Sequence, residues 1–486
     1  MLRIESSNST QRSGRRDFLQ VGTAAIGGLT LASMLAVRGQ AATIKDAVRD
    51  RSIVILNLQG GPTQYETFDP NMAAPAEIRS ITGETPTALP GVTFGGGLPQ
   101  LARLADRMAI VRSYRHGISS HGTAAHHVMA GGNPSGAMMG AVYANAAGLS
   151  DPLSGMPRNV LVTAAAAGEQ FNHVYKSVSR VSQTGSLSAN YKPFDLGAGG
   201  DLVENMRLKL DRRRLDDRRE LLSSLDGLKR KLDRTGQLEG ASTFEQQAFD
   251  VLTRGVSDAF DLSSVEPALL ERYETGMFEP SASVKKRNEY ATQFTPVALG
   301  RQMLMARRLC ESGCGFVTVT CGGWDMHGGG KEFTMRDGLD SLTPAVDKAV
   351  SAFIEDVEAR GLSEKILLVI TGEFGRTPQI NKNGGRDHWG NLCPIVFVGG
   401  GLPMGQVIGQ SDKTGAEPSS DPISSSNVMS TIMHYLFDIG ELFDLFTVEE
   451  EQMRNLLRDE LLYVFEPMFR EYVVDGAVPA HLHLFA

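Results

Sequence analysis

Three stretches of this chain gather side chains of the kinds that hold metals and oxyanions. The first runs from Thr371-Gly372-Glu373-Phe374-Gly375-Arg376-Thr377-Pro378 to Gly385-Arg386-Asp387-His388-Trp389. Carboxylate and imidazole there suit a divalent ion, and paired guanidiniums suit an anionic ester. The second is Gly323-Trp324-Asp325-Met326-His327. Asp325 and His327 stand two apart, so on extended backbone they point to the same side, a workable spacing for metal ligands. The third holds His116, His121, His126 and His127, four of the chain's 10 histidines. Within it, Ser119-Ser120-His121-Gly122-Thr123 reads as a strand-to-helix turn with hydroxyl caps, and a helix start at a sheet edge attracts anions. Each histidine alone reads as readily as structural; together, at least one is expected to serve chemistry.

These stretches need a frame that brings them together. Buried strands are predicted at Ser52–Leu58, 109–113, Asn159–Val162, Phe316–Thr320, Leu367–Ile370 and Pro394–Val398. The first two stretches begin where such strands end, and ligands of open α/β sheets sit outside the carboxyl ends of strands. The first strand breaks into Gln59-Gly60-Gly61-Pro62-Thr63, a turn that permits close backbone approach, with Glu66 and Asp69 beyond it. Helices are predicted at 98–108, 302–313, 339–359 and about 428–437. Between 202 and 273, Arg alternates with Asp and Glu, and Leu221, Leu225, Leu228 and Leu232 share one helical face. That pattern predicts an inserted charged helical hairpin laid against the α/β body, with a solvated face able to dock a protein partner. Residues 441–486 read as a C-terminal helical extension.

The chain has 486 residues, 41% hydrophobic and 21% charged, enough for one large α/β core with insertions. A net charge of -8 argues against a nucleic-acid surface. Residues 1–42 read as a twin-arginine signal peptide: Ser13-Gly14-Arg15-Arg16-Asp17-Phe18-Leu19, an apolar run from Val21 to Val37, then small residues Gly39 and Ala41. The run is short and rich in Ala and Gly, so no stable membrane span is expected once it is removed. The expected location is periplasmic, or otherwise exported. That route carries folded proteins, which favours those that load a metal first. Cys310, Cys314, Cys321 and Cys393 read as buried thiols, with one disulfide open to them.

In order along the chain, the motifs resemble the bacterial exported family catalogued as domain of unknown function 1501, itself similar to sulfatases and the alkaline phosphatase superfamily. The matching stretches are Gly60-Gly61-Pro62 with Thr67-Phe68-Asp69-Pro70, His121 to Gly131, Tyr191-Lys192-Pro193-Phe194, Ala259-Phe260-Asp261-Leu262, Ala306-Arg307-Arg308-Leu309, Gly323 to His327, Gly372 to Pro378 and Gly385 to His388. The resemblance implies an alkaline phosphatase/sulfatase-like fold over 43–486: a mostly parallel central sheet flanked by helices. It implies that Glu373 stands in the place of a metal-holding Asp-His pair, that His388 matches a later ligand histidine, and that Asp325 and His327 match an Asp…His ligand pair. Gly131 matches the glycine closing the nucleophile helix, which puts His121, with Ser120 and Thr123, at the nucleophile end. Two departures stand out. Asn57 and Gln59 occupy the place of the superfamily's first aspartate, with Glu66 or Asp69 as substitutes, and no Cys-x-Pro-x-Arg run exists to form formylglycine.

The expectation is an exported metal-dependent hydrolase of phosphate or sulfate esters, with Zn, Ca and Mg equally open. Asp325, His327, Glu373 and His388 are the expected ligands, with Asp387 next in line. Arg376 and Arg386 would clamp the anion, and His121 or Ser120, beside Thr123, would act as nucleophile or general acid–base. The alternative is a sulfatase-like protein without turnover that binds sulfated or anionic glycans, or one subunit of a surface complex.

Overall fold

A computed structural model describes residues 47–168, 171, 180–197, 257–287, 294–329 and 332–438. The expected signal peptide at 1–42 and the expected extension at 441–486 lie outside the described residues, as does 202–256 of the expected hairpin. Its remaining part forms two short helices, Ser257–Phe260 and Pro267–Tyr273. The buried Tyr273 donates its hydroxyl to Asp356 Oδ2 at 3.1 Å, which fastens this segment to the body.

Eight strands form the central sheet: β1 (Ser52–Gln59), β2 (Met108–Val111), β3 (Asn159–Val162), β4 (Phe194–Asp195), β5 (Phe316–Gly322), β6 (Ile366–Gly372), β7 (Ile395–Gly399) and β8 (Gln406–Ile408). Their order across the sheet is β8-β2-β7-β6-β1-β5-β3-β4. Every neighbouring pair is parallel except those made by β7, which runs against both β2 and β6. The mostly parallel sheet is therefore as expected. β5 and β6 are buried along their whole length, as a sheet covered on both faces requires. The short edge strand at Phe194, which read as loop, pairs with only two residues of β3.

Helices α1 (His121–Met129), α2 (Met139–Ala147), α3 (Pro296–Glu311), α4 (Met335–Ala359) and α5 (Ser425–Leu436) cover the sheet. Two large apolar clusters make up most of the core: one holds α3 and α4 side chains, the other those of α1, α2 and α5. α4 and α5 both begin with reciprocal capping boxes, Thr334 with Asp337 and Ser424 with Asn427. The helix expected at 98–108 is shorter. It closes at Arg103, and a 3-10 turn over Ala105–Arg107 leads into β2. All four cysteines are buried free thiols, and burial pushes Cys310, Cys321 and Cys393 up to about 12. Among the described residues no helix is long and apolar enough to cross a membrane.

α3 lies close enough to the hairpin segment that Gly300 has no room for a side chain. A Cβ there would stand 1.5 Å from the Tyr273 carbonyl oxygen. Helix propensity alone favours Ala over Gly by about 1 kcal/mol. The clash is with backbone, so Gly300→Ala is expected to lower stability by about 1–3 kcal/mol, the usual range for overpacking. A urea midpoint equal to or above wild type would show that the helix does not pack there.

Candidate metal centre

The strand register brings two of the three stretches together. Across the central three strands, Gln59 pairs with Gly322, and Leu58 with both Cys321 and Gly372. β1, β5 and β6 thus end side by side, and Gly60, Asp325 and Glu373 emerge along one edge. The turn after β1 is needed for this. Gly60 has φ +106°, and a Cβ on it would lie 2.5 Å from the Asp325 backbone nitrogen. The glycine admits the backbone of the next loop rather than a ligand. His388 arrives from a two-stranded antiparallel ribbon in which it pairs with Arg376. His121 is the first residue of α1.

Asp325 is the hub. Its Oδ1 lies 3.0 Å from His327 Nε2, 3.1 Å from His388 Nε2 and 2.7 Å from Arg376 Nη2. Its Oδ2 lies 3.1 Å from His121 Nε2. The partners behind each imidazole define its protons. His388 Nδ1 donates to the Ser119 carbonyl at 3.0 Å, and His327 Nδ1 donates to Asp387 Oδ1 at 2.8 Å. With Nδ1 the donor, a ring that carries no second proton presents a lone pair at Nε2, and the two Nε2 atoms face each other at 2.8 Å. Three electron-pair donors thus converge on one point, and a single proton can bridge only one pair of them. A cation suits all three. His121, Asp325 and His388 also bring ligand atoms within 4.8 Å of one another. Phe374 packs against these rings, 4.3 Å from His388 and 5.1 Å from His121 between centroids.

His121 is differently placed. Nε2 faces Asp325, and Nδ1 makes a short contact with Glu373 Oε2, so both nitrogens meet acceptors. Burial works against its charged form, but the bonds to Asp325 and Glu373 prevail and raise its pKa to about 9. Burial likewise opposes ionisation of Asp325, and its bonds to the three histidines reverse that and hold its carboxyl far below the usual range. The bond to Asp325 raises His327 as well. Glu373 is fully buried. Its Oε1 has no hydrogen-bond partner among the described residues, and Arg180 Nη1 lies 3.6 Å from it.

The expected residues therefore divide. His121, Asp325, His327, Glu373, Asp387 and His388 are brought into one network, with Glu373 behind His121 and Asp387 behind His327. Ser120 caps α1 without a side-chain cap bond, which corrects the reading of hydroxyl capping, and both it and Thr123 are exposed. Arg376 and Arg386 do not offer an anion clamp. Arg376 is buried and donates to the carbonyls of Gly60, Gly61, Trp324 and Arg386 as well as to Asp325. Arg386 is buried against the carbonyls of Thr377, Pro378, Ile78 and Arg79, with its guanidinium 4.2 Å from the Tyr65 ring. Neither proposed substitute for the first aspartate reaches the centre. Glu66 accepts from Ser80, Ile81 and Thr82, and Asp69 from Ser411.

Of the other histidines, His126 contacts the Gly136 carbonyl. His116 accepts from the Ile118 N–H and contacts Cys393; its burial lowers its pKa to about 4. His127 packs against His116, and burial lowers its pKa too. Ser119, Asn381 and Arg180 were not foreseen. Asn381 bonds the His327 carbonyl at 3.0 Å and Asp387 Oδ1 at 3.3 Å. Ser119 contributes a backbone atom, which residue type does not reveal. Arg180 belongs to none of the motifs singled out in the sequence.

Two outcomes are expected. Arg376→Met orphans buried carbonyls at about 1–3 kcal/mol each, so stability should fall by about 3 kcal/mol or more in urea titration. A substrate clamp would instead spare stability and raise KM. The second concerns the protein prepared free of metal. His121 has a folded pKa raised from 6.5 to about 9, so its stabilisation is full below pH 6.5 and is lost as pH rises through 9. The melting temperature should decline over that window, and His121→Gln should flatten the decline. Parallel wild-type and variant profiles would sink the assignment.

The backbone is similar to several solved structures. These include the PsFucS1 sulfatase from Pseudoalteromonas sp. (12% identity, 82% of this chain and 70% of that one, TM-score 0.34). A phosphonate monoester hydrolase of Agrobacterium radiobacter matches at 10% identity over 79% and 73%, with TM-score 0.33. The lipoteichoic acid synthase LtaP from Listeria monocytogenes matches at 9% identity over 80% of each chain, with TM-score 0.29. No curated protein sequence matches the chain. The family model for the protein of unknown function DUF1501 matches residues 50–450, and the chain belongs to that family.

Proposed function

We propose that this protein is an exported, metal-dependent hydrolase of phosphate or sulfate esters. The observation that carries the reading is the convergence of His327 Nε2, His388 Nε2 and Asp325 Oδ1, each within 3.1 Å of the others. Those three side chains would hold one ion, a two-imidazole, one-carboxylate set that leaves coordination open and favours a transition-type ion such as zinc over calcium or magnesium. Bound there, the ion supplies Lewis acidity and lowers the pKa of water. Asp387 and the Ser119 carbonyl orient the two imidazoles through their Nδ1 protons. His121, held between Asp325 and Glu373, is placed to keep and move a proton at Nε2. In the reaction, a water oxygen bonds to phosphorus or sulfur, the ester oxygen leaves with a proton, and free phosphate or sulfate is released. The exposed Ser120 hydroxyl is the alternative nucleophile.

A second reading, a binder of sulfated or anionic glycans without turnover, draws on the fact that both nitrogens of His121 are engaged and both expected anion clamps are buried. The two readings separate in one experiment: metal analysis of the purified protein, with assays on aryl phosphate and aryl sulfate. The hydrolase reading expects bound metal and release of one product; a metal-free protein inert to both esters would refute it. His388→Ala should reduce bound metal to below about a tenth while the far-UV circular dichroism is kept. Asp387→Asn should weaken metal binding by about 10–100-fold, as for other residues that orient a ligand. Metal content unchanged in His388→Ala would exclude the proposed ligand set.

A further inference from the structure

The cleft over the centre has a volume of about 290 Å³, and Gln59, His121, Arg180, Asp325, His327 and Phe333 line it. Arg180 is the one arginine or lysine among its described lining residues. An ester anion entering this cleft meets the carboxylates of Asp325 and Glu332, with Glu373 buried behind His121, while the guanidinium of Arg376 is buried and already engaged by carbonyls and Asp325. One carried ion would offset part of that negative charge, but a second cation facing the cleft is needed to draw an anion and to orient it. Arg180 meets the need. Its side chain is 42% exposed, and Nη1 lies 3.6 Å from the buried Glu373 Oε1. At that distance the contact is an ion pair rather than a hydrogen bond, so it anchors the guanidinium at the rim without directing an N–H along it. A guanidinium carries five N–H donors in a planar fork, a match for two oxygens of one phosphoryl or sulfuryl group.

We propose that Arg180 is the residue that binds the oxyanion of the substrate, the role expected of Arg376 and Arg386 and closed to them by burial. The inference rests on the reading of this centre as one for phosphate or sulfate esters. It also names what the Glu373 ion pair does: it holds Arg180 over the cleft, and makes Glu373 the link between the anion site and His121.

The test uses the full-length, metal-loaded protein, with inorganic sulfate and inorganic phosphate as probes in calorimetry. Wild type is expected to bind at least one of them. Arg180→Ala should weaken that affinity tenfold or more and raise KM for the aryl ester by a similar factor. The turnover number should change far less and the metal content not at all. Arg180→Lys should recover part of the affinity, since it keeps the charge but not the fork. Should Arg180→Ala fail to fold, Arg180→Gln keeps the length without the charge and is judged by the same measurements. Wild type that binds neither anion overturns the proposal, as does a folded variant with wild-type anion affinity and KM. If wild type turns over esters while Arg180 proves irrelevant to both quantities, the hydrolase reading stands and this inference falls. If wild type is inert to esters but holds an anion through Arg180, the inference stands and the hydrolase reading falls.

Discussion

A buried guanidinium organises the sheet edge that carries the candidate site. Arg376 lies beneath Asp325 and donates to Gly60, Gly61, Trp324 and Arg386 carbonyls, so it fastens the loops after β1, after β5 and before His388 to one another. A buried charge is tolerated only when it is partnered and hydrogen-bonded. This requirement works in both directions. The carbonyls satisfy the guanidinium, and the guanidinium holds those loops at separations where their side chains meet. Gln64 completes the arrangement, accepting from the Arg376 N–H and donating to its carbonyl, both at 2.9 Å. Gly60 and Gly61 are demanded by the same contact, because a side chain on either would collide with the Trp324–Asp325 backbone or the Phe374 ring.

Above that clamp the chain brings together groups that repel. Asp325, His327 and His388 turn acceptor atoms toward one another, and Glu373 is a buried carboxylate with an oxygen that no hydrogen bond from the described residues reaches. Without a shared proton or a cation, such a cluster does not stabilise a fold. Local features that oppose stability and persist are tolerated where the surroundings over-determine them, and they concentrate at functional sites. The surroundings here are the central strands β1, β5 and β6, buried in full register, with two hydrophobic clusters packed on their faces.

Strand ends were the legible part of this chain. Runs such as Leu367–Ile370 broken by Thr-Gly-Glu show both the strand and the carboxylate it delivers, and the side-chain period of two placed Asp325 with His327. The roles within the site were less legible, because residue type does not reveal which face of a loop is buried. Arg376 and Arg386 have the composition of an anion clamp and the burial of a structural one. Glu373 and Asp387 have the chemistry of ligands, yet each faces the far nitrogen of a histidine. Ser120 has the type of a capping residue, but its side chain makes no capping bond, and the capping boxes occur at Thr334 and Ser424. Ser119 acts through a carbonyl that every residue possesses. Arg180 is brought to the cleft by tertiary folding alone.

The division of labour follows from how each group is held. Asp325 and Glu373 stand within a few residues of strands whose backbone bonds fix their positions, and His388 belongs to a ribbon paired with Arg376. His121 opens α1, where the first turn orients its ring between two carboxylates. Groups mounted on regular elements keep their geometry better than groups mounted on loops. The side of the centre that would hold the proposed ion is therefore the rigid one, as a set of three converging acceptor atoms requires. Arg180 is the exception, a half-exposed side chain tied to the centre through one ion pair with Glu373. A rigid floor beneath an adjustable cation is the arrangement that the proposed ester chemistry would require, with fixed geometry at the reacting group and latitude where the anion is received.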